Sequence, residues 1–232
     1  MEEANAAPRV KFDVEPVDLE HLQGYAKELG CVDARVIKTE DLYYKEGIRR
    51  KCEYPNCASY GNTFQCPPYT PRKGYMRQCV PDSYEYGIFG VLYAPADAVS
   101  TPADGNIMES FYNAGLWSGK VNKIVGKLES KAHELGYYKA MGFNCGPCTC
   151  CGMWTKKWYE DLFTTGSAGV CPVIRGQTCK SHRRARPSAE PAGVDMVEFI
   201  RDAGLASEYL IFPESAPDCV PECPYYAFVL IG

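Results

Sequence analysis

Residues 145–151 read CGPCTCC, four thiols in seven positions. No other stretch constrains the fold as strongly. Such a loop can close disulfides, hold zinc or grip an iron–sulfur core, and the rest of the chain has to choose. The 232 residues contain thirteen cysteines, an odd number, so disulfides alone leave one thiol over. The first residues, MEEANAAPRVKF, lack the charged, apolar and small-residue order of a secretory signal. Nowhere do about 18 apolar residues run together, so no membrane-spanning helix is expected. The expectation is a soluble cytoplasmic protein, and a reducing cytoplasm leaves structural disulfides little place. Crowded cysteines in that setting point to metal.

The spacing sharpens this. Cys145-x2-Cys148-x2-Cys151 offers three thiolates from one tight turn, as cuboidal iron–sulfur clusters require, and a fourth must come from elsewhere. Gly146, Pro147 and Gly152 suit sharp turns and close backbone approach. Cys171-Pro172 and Cys179 both follow, leaving the fourth place open between Cys171 and Cys179, while Cys150 competes with Cys151 for the third. A second set lies upstream at Cys52-x4-Cys57-x8-Cys66, stiffened by Pro67-Pro68 and followed by Cys79. A third pair, Cys219 and Cys223, precedes the last apolar run, where it could add a ligand or merely pack. Cys31, on an expected strand, reads as a core residue. Zinc could also be held, by Cys145, Cys148 and two later thiols. With only three histidines, His21, His133 and His182, the donor set is sulfur-rich and suits iron–sulfur chemistry.

Around these loops the patterning is that of an ordinary globular chain, 46% apolar and 23% charged. Apolar positions Leu19, Leu22, Tyr25, Ala26 and Leu29 predict a helix over 17–30, with Gly30 at its end. Strands are expected at 31–37, 84–94, 137–144, 209–212 and 225–231, and helices at 106–136 and 193–204. Residues 51–71 have loop composition. The expected fold is α/β (α+β): a single mixed sheet flanked by helices, with the cysteine loops gathered at one end. Residues 1–16 read as a flexible N-terminus and 17–232 as one domain, with cluster loops at 51–80, 144–187 and 217–224.

The stretches CEYPNCASYGNTFQCPPYTP, GPCTCC and CKSHRRARPSAEPAGVDM together resemble a family of cysteine-rich predicted metal-binding (iron–sulfur) proteins of anaerobic bacteria and archaea. The likeness runs from about Lys51 to the C-terminus. It implies that Cys52, Cys57 and Cys66 form one ligand set, and Cys145, Cys148, Cys151 and Cys179 another. Two features depart from the family's pattern. The first set has x4 where x2 is usual, and the excursion between Cys151 and Cys179, which contains Cys171, is longer. The family carries no settled biochemical role, so the resemblance implies metal binding and no reaction.

No phosphate loop, dinucleotide motif, nucleophile elbow or HExxH helix is present. The expected function is therefore an electron-transfer or redox accessory protein with two 4Fe–4S clusters, serving a partner enzyme. An enzyme with an open-coordination cluster, and a structural zinc protein or metallocentre assembly factor, stand as alternatives. The basic run KSHRRAR (180–186) would stabilise cluster charge, dock an acidic partner or simply face water. A net charge of −4 speaks against nucleic acid.

Overall fold

The computed structural model describes residues 10–54, 57–70, 74–95, 107–151, 155–165, 169–204 and 222–232. Its first helix, α1 (Pro16–Glu28), starts where Pro16 sets a helical φ, carries Asp18 in its first turn and buries Leu19, Leu22 and Ala26. Gly30, at φ +108°, lets the chain leave the helix and enter β1 (Asp33–Lys38). A short turn of helix, α2 (Arg50–Glu53), and the unforeseen α3 (Tyr75–Ser83) precede β2 (Tyr86–Pro95). The long α4 (Ile107–Glu134) leads to β3 (Met141–Phe143). Next come α5 (Lys156–Thr165), α6 (Met196–Asp202) and β4 (Glu222–Ile231). Asp195 caps α6, accepting the Glu198 N–H at 3.2 Å. The strand expected at 209–212 lies outside the described residues, as do residues 1–9 of the N-terminal segment and Cys219.

The expected α+β architecture, one sheet flanked by helices, is present. Its pairings are not mixed, however. The order is β1-β2-β4-β3 and all three pairings are antiparallel, with Phe89 opposite Phe228 and Phe143 opposite the same Phe228. The reason is topological. Strands β2 and β3, joined by the α4 crossover, do run the same way, as a strand–helix–strand order suggests. The C-terminal β4 slots between them, so every hydrogen-bonded neighbour is antiparallel.

Both faces of the sheet are covered, which explains why β2 reads as an unbroken apolar run. On one face Ile88, Leu92, Val229 and Ile231 meet Leu22 of α1 and Val121, Val125 and Leu128 of α4. On the other Phe89, Val91, Phe228 and Leu230 meet Met76 and Val80 of α3 and Phe199 and Ile200 of α6. Cys31 is buried in the first of these layers, as a core residue should be, against Gly90. The expected strand 137–144 shrinks to three residues, because Tyr137 to Ala140 are spent on a turn that buries Tyr137. No helix among the described residues is long and apolar enough to cross a membrane.

Candidate metal centre

The cysteine loop leaves the end of β3 and is fastened at once. Asn144, buried, donates its backbone N–H to the Pro187 carbonyl at 2.9 Å and its Nδ2 to the Arg186 carbonyl at 2.8 Å. The Cys145 N–H donates to Asn122 Oδ1 of α4 at 2.9 Å. Gly146 follows at φ +71°, a left-handed turn that reverses the chain close to Ser118, where a Cβ would stand 3.2 Å from its hydroxyl. Segment 186–188 is held in turn by Arg186, whose guanidinium pairs with the buried Glu129 of α4 at 2.7 Å. Two distant stretches thereby become one platform beneath the thiols.

Four thiols then face one cavity of about 360 Å³: Cys148 and Cys151 from the loop, Cys171 and Cys179 from the later excursion. Thr63, Phe64 and Gln65 of the first cysteine loop close another wall, and the exposed His182 stands at the rim. The Cys171 N–H donates to the Asn62 carbonyl at 2.8 Å, tying the excursion to that first loop. Pro172 opens a single 3₁₀ turn (Pro172–Arg175) that ends at Gly176 with φ +76°, and the chain returns towards Cys179. The sequence left the fourth place open between Cys171 and Cys179, and both line the cavity.

The thiols feel one another. Burial first, then the charges of Cys171 and Cys179, push the Cys151 thiol up, while Lys180 opposes them. Cys148 keeps its proton by donating it to Cys150, which raises Cys148 and lowers Cys150. Arg184 and Arg186 favour the Cys150 thiolate further. Clustered thiolates of this kind repel until a cation takes up their charge.

Cys145 does not line this cavity. It packs against the sheet, receives the Tyr226 backbone N–H, and is pushed up to about 12 by burial, with Glu190 and Cys223 adding to the effect. Among the described residues Asn122 Nδ2 and the Tyr226 hydroxyl are buried without a hydrogen-bond partner, the first on the side chain that accepts the Cys145 N–H. Unsatisfied buried donors call for an acceptor, and thiolate or sulfide sulfur accepts such bonds.

The upstream set forms its own neighbourhood. Cys57 donates its N–H to the Cys52 carbonyl at 3.1 Å, and Cys66 donates its N–H to the Thr63 carbonyl at 3.0 Å. Cys66 is buried and pushed up to about 12, first by that burial and then by Cys57 and Cys52, against hydrogen bonds from the Thr63 and Ser59 hydroxyls. Cys52 is raised to about 11 by burial, Cys57 and Glu190. Glu190 is thus an electrostatic neighbour of both Cys52 and Cys145, a link that the spacing of cysteines alone does not reveal. Its one sequence signal is its place in the RPSAEPAGVDM stretch.

Single-ion and cluster chemistry ask for different rooms. Among the described residues no three His, Cys, Asp or Glu side chains stand close enough to share one metal ion. A tetrahedral zinc, with sulfurs about 2.3 Å away, requires that closeness. Four cysteines line the cavity, with no carboxylate and one histidine at the rim, a sulfur-rich donor set.

Residues 35–231 match a family model described as predicted metal-binding protein (DUF2284). No curated protein matches the chain, and no solved structure does.

Proposed function

Because the chain belongs to this family of predicted metal-binding proteins, we propose that it is an iron–sulfur protein of the cytoplasm with two 4Fe–4S clusters, passing electrons to or from a partner enzyme. The observation that carries this reading is the convergence of Cys148, Cys151, Cys171 and Cys179 on one cavity. These four would hold one cluster, and Cys52, Cys57 and Cys66 with a further ligand would hold the other. This allotment differs from the one that the family resemblance implies, since Cys171 replaces Cys145 in the second set. A bound cluster supplies reversible one-electron storage at a potential set by its surroundings. The chain's own residues fix the thiols, keep water from the buried side and place cations near the sulfur. Lys180 acts on Cys151, and Arg184 and Arg186 act on Cys150, favouring negative charge there.

Anaerobic reconstitution followed by iron and acid-labile sulfide analysis tests the proposal. The wild-type protein is expected to be brown, bleached by dithionite, with iron and sulfide in near-equal amounts. Cys171→Ser should lose about half of the iron and Cys145→Ser less, by the cluster-ligation logic above. Full iron retention in Cys171→Ser rules out the cavity as the site.

A second reading, an enzyme with an open-coordination cluster, is favoured by one arrangement. The upstream set brings three thiols within electrostatic reach of one another, and a groove of about 700 Å³ shares Phe64, Gln65 and Ala185 with the thiol-lined cavity. Small ligands such as cyanide would then alter the EPR spectrum of the reduced protein; an unaltered spectrum favours electron transfer. The zinc alternative draws no support from the spacing of the described side chains.

A further inference from the structure

Between Cys171 and Ala189 the chain has five basic residues, Arg175, Lys180, Arg183, Arg184 and Arg186, and no carboxylate. Such a block is anomalous in a protein of net charge −4. Arg186 is accounted for by its ion pair with Glu129. The other four are exposed, and among the described residues none of them makes an ion pair. Elsewhere among the described residues some surface cations pair with carboxylates, as Lys11 with Asp18, Lys131 with Glu134 and Lys157 with Asp161, and others, such as Lys27, Arg77 and Lys123, do not. What sets the stretch 171–189 apart is the run of five cations with no carboxylate among them, a departure from the chain's acidic balance.

Position gives the departure a meaning. The same stretch forms the outer wall of the thiol-lined cavity through Gln177, Thr178, Cys179 and His182, three of them exposed. The four cations are thus close in sequence to the exposed residues that wall the cavity. Local charge compensation accounts for Lys180, felt at Cys151, and Arg184, felt at Cys150. It does not explain why the rim as a whole is left without carboxylates.

We propose that Arg175, Lys180, Arg183 and Arg184 form a docking surface for a small acidic protein that carries single electrons. The proposal rests on the iron–sulfur reading above and names the partner chemistry for that site. Opposite charge steers encounter and sets orientation, and orientation matters because electron transfer weakens steeply with distance. In the docked complex one electron leaves the reduced carrier, which is oxidised by one electron, and the iron–sulfur centre is reduced by one. No bond breaks and no proton changes place. The short run of cations on an acidic molecule suits a compact protein partner better than nucleic acid, whose binding draws on many phosphate contacts.

Stopped-flow reduction of the reconstituted protein by a dithionite-reduced acidic ferredoxin tests this, with a basic cytochrome c as the electron acceptor in the control. The second-order rate with ferredoxin should fall at least about tenfold as salt rises from about 0.05 to 0.5 M, as steered encounters do. Arg175→Glu with Arg183→Glu should lower the low-salt rate by roughly tenfold or more, leave iron and sulfide unchanged, and leave transfer to cytochrome c undiminished. A rate that ignores both salt and charge reversal, in fully loaded protein, overturns the docking surface and leaves the cluster reading standing. Loss of iron in that double variant assigns the cations to cluster support and overturns docking as well. Duplex DNA held tightly in a competition that ferredoxin cannot enter does the same. Wild-type protein that takes up no iron and sulfide overturns both proposals.

Discussion

Through one oxygen, Oε1, the buried Glu129 accepts two hydrogen bonds from Arg186, at 3.1 Å from Nε and 2.7 Å from Nη2. The pair spans 57 residues of chain and joins the C-terminal part of α4 to the segment that fastens Asn144. Removing one member of such a pair strands the other charge away from water. Arg186→Leu is expected to lower unfolding free energy by about 3–5 kcal/mol, whereas Glu129→Leu with Arg186→Leu recovers most of the loss. Urea titrations of the two single variants and the double variant measure this coupling directly.

Gly142 tests the fit between β3 and α4. A methyl group at this position would run into Val125 Cγ1 and stand 3.3 Å from Glu129 Oε2. Neither neighbour is a free side-chain end, since Val125 is core and Glu129 is held by Arg186. Gly142→Ala should therefore destabilise by about 1–3 kcal/mol, as overpacking does. Gly126→Ala, at a position with open space around it, should be neutral or slightly stabilising because alanine favours the helix. The contrast in thermal midpoint between the two variants is the measurement.

These features divide by how local their causes are. The helix predicted over 17–30 appears as Pro16–Glu28 and the strand at 84–94 as Tyr86–Pro95, because periodicity and end signals are written into neighbouring residues. The insertion of β4 between β2 and β3 is not local, and nothing in YYAFVLI says which strands it will join. The helix Lys156–Thr165 and the proline-containing Tyr75–Ser83 escape the sequence reading for a different reason, since they lie largely in stretches whose cysteines read as cluster loops, 144–187 and 51–80. Within the metal loop, spacing shows which thiols are near in sequence but not which way they face. The left-handed turn at Gly146 separates Cys145, set against the sheet, from Cys148 and Cys151 at the cavity. The approach of Cys171 is equally hidden, since it depends on a backbone hydrogen bond to Asn62 from a loop over a hundred residues earlier.

Thiol chemistry can report the two neighbourhoods without any activity assay. Thiolate is the reactive form, and each unit of raised pKa removes about nine-tenths of it at neutral pH. Cys66, buried and pushed up to about 12, should react with iodoacetamide roughly a hundredfold or more slower than the exposed Cys57 in metal-free, reduced protein. After reconstitution Cys57 should become protected too, as should Cys148, Cys151, Cys171 and Cys179. Peptide mass spectrometry after timed alkylation reads each site. Persistent labelling of Cys171 in fully loaded protein would contradict its place at the cavity.

The last prediction concerns pH and the anchoring of the N-terminal helix. Asp18 is buried in α1, and it accepts hydrogen bonds from the Tyr137 hydroxyl at 2.6 Å and from Lys11 Nζ at 2.6 Å. Burial alone would raise its carboxyl, but the Lys11 and Tyr137 bonds together outweigh burial and hold it below the ordinary aspartate range. A carboxyl with a lower pKa in the folded state binds protons less readily there than in the unfolded chain. Its contribution to stability is therefore complete above the unfolded value of about 4 and disappears as pH falls through the lower folded value. Tyr137 shifts the opposite way, to about 12, through burial and the hydrogen bond to Asp18, so its contribution is lost only as pH rises past about 10 towards 12. Asp18→Asn should lower stability at pH 7 by roughly 1–3 kcal/mol, leaving Lys11 and Tyr137 with a poorer acceptor. The variant and wild-type curves should then converge as pH falls through the lowered folded value, because protonation imposes the same loss on the wild type. Urea midpoints measured from pH 2 to 8 test the convergence, and a constant gap across that range would show that the carboxylate charge plays no part.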